Sequence, residues 1–147
     1  LDAIGDWWSL LIVRDAFDGL TRFGEFQRSL GIAKNILAQR LRTLTERGII
    51  EVIPSSGGGA RQEYRLTAKG RDLFPVMVAL RQWGEQHLFA PGEAHSQLVE
   101  RDTGKPVRLE VRSDSGEPIG ADRAVILKVP DGGPPNGASR ATQNERA

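Results

Sequence analysis

Cysteine is absent from all 147 residues. Disulfides, thiolate metal sites, cysteine nucleophiles and thiol redox sensors are therefore excluded within this stretch of chain. Histidine is scarce, with only His87 and His95. The turn Pro91-Gly92 separates them, and no carboxylate pattern joins them as metal ligands. No run of about 18 apolar residues occurs, so no membrane-spanning helix is expected. The chain also lacks a Gly-Lys-Ser/Thr phosphate loop, a Gly-x-Ser-x-Gly elbow and a dinucleotide fingerprint. With no catalytic constellation and no cofactor site, it reads as a non-enzyme. The opening Leu1-Asp-Ala-Ile-Gly5 lacks the basic start and long apolar run of a signal peptide. The missing cysteine fits a cytoplasmic protein. Because the chain begins with Leu rather than Met, a few native residues are expected before it, and the cysteine argument does not reach them.

Bulk charge is also lacking: the formal net charge is only +1. What positive charge exists is local. Between Arg22 and Arg47 stand Arg22, Arg28, Lys34, Arg40, Arg42 and Arg47, against only Glu25 and Glu46. Such clustering suits a protein that docks one face on a phosphate backbone.

The centre of this interval, from Ala33 to Gly48, has the pattern of one helix ended by a glycine. At about 100° per residue, Leu41 and Leu44 fall within roughly 40° of Leu37 and make a buried stripe. Asn35, Gln39 and Arg42 cluster opposite, with Thr43 beside them. Lys34, Arg40 and Arg47 flank the stripe. Asn and Gln can pair with adenine and Arg with guanine, so the outward face is compatible with reading base edges. An amphipathic helix with a merely basic surface is the competing account.

Its neighbours favour the first account. Asp6 caps a helix from Trp7 to about Phe17, apolar nearly all round and so expected at the centre of the core. Phe23 to Leu30 forms a short helix with Phe23, Phe26 and Leu30 on one side, and Gly31-Ile32 turns the chain into the polar-faced helix. Two short helices joined by a glycine turn match a helix-turn-helix. Next, Ile49–Ile53 and Arg61–Leu66 alternate as strands around the tip Gly57-Gly-Gly59, giving a hairpin with Arg61 on its shoulder. Tyr64 and Leu66 share one face, Glu63 and Arg65 the other. Thr67 caps a long helix from Ala68 to about Phe89, which Pro75 should bend near Arg71–Pro75. Its apolar stripe needs a partner, and a second copy of the chain is favoured.

Pro91-Gly92 marks a boundary. Gln97–Arg101, Val107–Arg112 and Ala124–Val129 alternate like short strands, with turns at Asp102–Pro106 and Asp114–Pro118. Residues 131–147 are rich in Gly, Pro, Asn and Ser and are expected to be disordered. The fold class is thus α+β, mainly α. Residues 1–91 form a winged helix-turn-helix domain including a long dimerisation helix, 92–130 a small β-rich extension, and 131–147 a tail.

Residues 1–88 resemble the HxlR-type bacterial winged-helix transcriptional regulators. The carrying motifs are Ile4-Gly-Asp-Trp-Trp-Ser-Leu-Leu-Ile-Val-Arg-Asp15, Arg22-Phe-Gly-Glu-Phe26, Ile36-Leu-Ala-Gln-Arg-Leu-Arg-Thr-Leu44 with Gly48-Ile-Ile50, and Tyr64-Arg-Leu-Thr-Ala-Lys-Gly70. Trp7 departs from the family pattern, which usually has a polar or basic residue there. The extension resembles, weakly, the zinc ribbon of some relatives. Thr103, Arg112 and Ser115 stand where its turns would be and supply no thiolate, so no metal is expected.

The resemblance implies a sequence-specific regulator, a repressor that occludes a promoter, bound as a homodimer to a palindromic duplex operator. Expected DNA contacts are Lys34, Asn35, Gln39, Arg40, Arg42, Thr43 and Arg61. Arg40 equally suits an ion pair within the fold. Arg22 and Arg28 are weaker phosphate candidates. The expected dimer face carries Val76, Leu80, Trp83 and Leu88. An apolar pocket between the first and long helices, lined by Trp7, Trp8 and Trp83, is a possible small-molecule effector site, against core and dimer packing. The rival function is a winged helix that binds protein without specific DNA binding.

Overall fold

Asp6 opens the first helix in the computed structural model, which describes residues 4–55, 57 and 61–128. Its carboxylate accepts the Ser9 amide at 3.0 Å and also the Ser9 hydroxyl. Helix α1 (Trp7–Phe17) therefore begins at the expected cap. It ends in a Schellman turn: Gly19 takes φ 93°, and the Leu20 amide donates to the Asp15 carbonyl at 3.1 Å. Ile12 and Val13 are fully buried, but Trp7 is 72% exposed. The expectation that α1 is central to the core holds for one side only. That side faces the next two helices and the hairpin, and Trp7 points away from them.

Helix α2 (Phe23–Leu30) and helix α3 (Lys34–Glu46) follow, joined through Gly31 in the left-handed conformation. Phe26 is fully buried under α2, and Leu37, Leu41 and Leu44 under α3. Each of these side chains contributes about 1.5–3 kcal/mol by leaving water. α3 also ends in a Schellman turn. Gly48 takes φ 69°, and the Ile49 amide donates to the Leu44 carbonyl at 2.9 Å.

Strands β1 (Ile50–Pro54) and β2 (Gln62–Leu66) pair antiparallel, with Ile50 opposite Leu66 and Pro54 opposite Gln62. β2 is tied to the α1–α2 link by the Tyr64 amide, which donates to the Thr21 carbonyl at 2.7 Å. The expected faces of β2 need revision at Glu63, which is buried. Its carboxylate accepts Arg65 at 3.0 Å and the Ser55 hydroxyl at 3.2 Å, which makes the burial tolerable. Of the expected tip Gly57–Gly59, Gly58 and Gly59 lie outside the described residues.

The single bent helix expected from Ala68 to Phe89 is two helices, α4 (Ala68–Arg71) and α5 (Phe74–His87). α4 is pinned to the sheet. The Thr67 hydroxyl accepts the Gly70 amide at 3.1 Å, the Thr67 amide donates to Ile49 at 3.0 Å, and Arg71 Nη1 donates to the Leu66 carbonyl at 2.9 Å. Pro75 sits in the first turn of α5, where a missing N–H has no helical acceptor to lose. It starts a helix rather than bending one.

Two compact units divide the chain, Leu1–Leu109 and Glu110–Ala147. Residues just past Pro91-Gly92 stay with the first. The Gln82 side chain donates to the Val107 carbonyl at 2.9 Å and accepts the Leu109 amide at 3.0 Å. The expected turns are present as small hairpins closed by single bridges, Val99 to Pro106 and Arg112 to Pro118. The expected strands themselves are not formed among the described residues. Residues 124–128 pair with nothing regular, and Val129 and the expected tail at 131–147 lie outside the described part. No described helix is long and apolar enough to cross a membrane.

Candidate nucleic-acid interface

The buried stripe of α3 fixes which of its residues meet solvent. With Leu37, Leu41 and Leu44 held in the core, Asn35, Gln39 and Arg42 are exposed together on the far side, and Lys34 is exposed at the flank of the buried stripe. The far side presents two amides and a guanidinium, and neither Arg42 nor Lys34 forms an ion pair among the described residues. Thr43 is half-buried, and its hydroxyl donates to the Gln39 carbonyl one turn back at 3.1 Å. That bond occupies its proton and turns Thr43 toward its own helix.

Arg40 belongs to the fold. Its Nε lies 3.3 Å from Asp6 Oδ1. The carboxylate that caps α1 thus also holds the flank of α3, and Arg40 leaves the set that faces solvent freely. Partial burial works against the Asp6 charge. The Ser9 hydroxyl and amide, with the Arg40 guanidinium, outweigh it and keep the carboxyl below its ordinary value of 3.8.

Arg61 is exposed beside the N-terminal end of β2. There the fold makes a grouping that linear spacing concealed. Arg22, Arg28 and Arg61 line one cleft of about 560 Å³ with Tyr64 and Glu25. In the sequence Arg22 and Arg28 are the weaker phosphate candidates, because ordinary solvated charge accounts for each. The Tyr64–Thr21 backbone bond ties the hairpin wall to the start of α2.

A second cavity, about 460 Å³ and mainly apolar, lies between α1 and α5. Trp7 and Trp83 line it as expected, but Trp8 does not: it packs against the core instead. Val76, Leu80, Trp83 and Leu88 are all exposed, Trp83 by 58% and Leu88 by 70%. His87 is exposed and lies against the Trp83 ring, with centroids 5.2 Å apart.

Three helices, with the third seated by its leucines and followed by a two-stranded hairpin, define a winged helix-turn-helix. Residues 3–91 match the HxlR-like helix-turn-helix family, and the chain belongs to it. It is similar to an uncharacterised HTH-type transcriptional regulator of Mycobacterium tuberculosis, 48% identical over 91 residues, covering 62% of this chain and 58% of that protein. The chain thus spans under two thirds of that relative's length. Among solved structures it resembles PA1607, a candidate transcription factor, with 61% identity and TM-score 0.81, over 88% of this chain and 91% of that one. It also resembles the reduced redox regulator HypR, with 35% identity and TM-score 0.52, over 60% of this chain and 88% of that one. No cysteine occurs here to carry a thiol switch.

Proposed function

We propose that the protein is a DNA-binding transcriptional regulator, a repressor that binds a palindromic operator as a homodimer. The observation that carries this reading is the exposed Asn35–Gln39–Arg42 face of α3, opposite its buried leucines, with Lys34 exposed at the flank. Amide and guanidinium groups in that array suit adenine and guanine edges in a major groove. Two copies of α3 would occupy successive major grooves, about 34 Å apart. The exposed apolar face of α5 supports a second copy as its cover, with Val76, Leu80, Trp83 and Leu88 at the contact. Membership of the HxlR-like family and the relatives' description as transcriptional regulators support the same class.

Selection of bound duplexes from a random pool by the purified protein tests the reading. The expected outcome is an enriched inverted repeat. Gln39→Ala should then cost about 1–3 kcal/mol at one base position in each half-site and relax choice there. A pool without enrichment would instead place the protein among winged helices that bind other proteins.

A further inference from the structure

Helix α3 is tethered unevenly. Its end is held by the Ile49 amide on the Leu44 carbonyl and by Lys69 Nζ on the Arg47 carbonyl at 2.8 Å. Its first turn has no side-chain cap and no acid. Between them, Leu37, Leu41 and Leu44 press the helix into the core. Apolar burial is non-directional, so one stripe of leucines fixes depth better than rotation about the helix axis. A directional contact lies off that stripe, where Arg40 Nε stands 3.3 Å from Asp6 Oδ1. Arg40 Nε is shut off from solvent and has no hydrogen-bond partner among the described residues, which leaves the Asp6 charge to offset its burial.

Asp6 in turn is not free to move by itself. The same Oδ1 accepts the Ser9 amide at 3.0 Å, and Oδ2 accepts the hydroxyl of Ser9, which is fully buried. The carboxylate therefore moves with the first turn of α1. Trp7 is the next residue in that turn, exposed and lining the apolar cavity between α1 and α5. One turn of helix thus meets both Arg40 of α3 and the apolar cavity.

We infer that Asp6 is a positioning residue that couples the rotation of α3 to the apolar face around Trp7. Asn35, Gln39 and Arg42 ride on that rotation, so a change at the Trp7 face reaches the base-reading side chains without touching them. The effect on DNA rests on the regulator reading above, and the coupling within the chain does not.

Two measurements on the full chain test the coupling. Asp6→Asn keeps a competent cap, Arg40→Gln keeps a good helix former and Trp7→Ala removes an exposed side chain, so each variant should fold. The first measurement needs no DNA and follows the Asn35 and Gln39 side-chain amides by NMR. Trp7→Ala should shift both signals in the parent background and neither in the Asp6→Asn background. The second is affinity for a selected duplex as a function of salt. Asp6→Asn and Arg40→Gln should each weaken binding about fivefold, the low end of coupling between sites, and the double variant should weaken it no further. Base preference and salt slope should stay as in the parent. Amide signals that ignore Trp7→Ala, or that respond to it equally in Asp6→Asn, overturn the inference. So does an Arg40→Gln salt slope shallower by about one beside an Asp6→Asn variant that binds like the parent, because Arg40 is then a phosphate contact. A protein that selects no duplex overturns the regulator reading, and the amide signals then decide the coupling alone.

Discussion

Gly70 is the residue on which the joint between wing and α4 depends. A Cβ there would stand 2.1 Å from the Ile49 carbonyl oxygen, a backbone atom held in the junction between α3 and β1. Neither partner can rotate away, since Thr67 N–H also bonds that same carbonyl at 3.0 Å. Gly70→Ala should therefore lower stability by about 3 kcal/mol, the upper end of ordinary overpacking. Chemical denaturation of the variant checks this, and a midpoint within error of the parent would show that the junction gives way. A glycine in the middle of Thr67–Asp72 is visible in the sequence, but its reason is not. Composition marks a permissive residue, and only the Ile49 backbone beside it makes the small size obligatory. The same limit applied to Trp7 and Glu63. An all-round apolar helix does not say which side meets the core, and an acid in a strand does not announce that it will be buried and paired with an exposed Arg65.

At the scale of elements, caps and glycines made α1, α2 and α3 legible almost to their ends, because each signal acts within one turn of its residue. Asp6, Gly19, Gly31 and Gly48 all sit where those helices begin or stop. Pro75 misled because a proline's effect depends on its position along a helix, and α4's contacts with Ile49 and Leu66 set that position. The strand-like runs after Pro91 misled for a related reason: alternation describes two faces, while a strand also needs a neighbour. One link between elements has a pH signature. Asp6 caps α1 and pairs with Arg40 of α3, and its carboxyl is held below 3.8 despite partial burial. A depressed carboxyl contributes stability that is present above its unfolded pKa and is lost as pH falls through the folded value. Asp6→Asn keeps a competent cap but removes the charge. The variant should thus be less stable than the parent near neutrality, and the two melting temperatures should converge as pH falls below 3.8 and through the depressed folded value. Melting curves that run parallel down to pH 2 would remove Arg40 from any structural role for this charge.

At the scale of the whole molecule, the unresolved balance is apolar surface. The winged unit buries Phe26, Leu37 and Leu44 completely, yet leaves Leu80 half exposed and Trp7 and Trp83 more so, around one apolar cavity between α1 and α5. A protomer alone in water gains nothing from that arrangement. In the proposed homodimer, the second copy covers it and simultaneously sets the spacing of the two α3 helices. Oligomerisation and operator affinity are then one property. Leu80→Glu places a charge at the centre of the covered face and touches neither α3 nor the hairpin. It should convert the dimer to a monomer in sedimentation while leaving the far-ultraviolet circular dichroism of the winged fold intact. Binding to a full inverted repeat should weaken by about 10²–10⁴-fold, the contribution of joining two half-sites, while affinity for an isolated half-site stays near that of the parent. A monomer that still binds the full repeat like the parent would show that α5 does not set operator geometry. A variant that remains dimeric would move the interface away from α5.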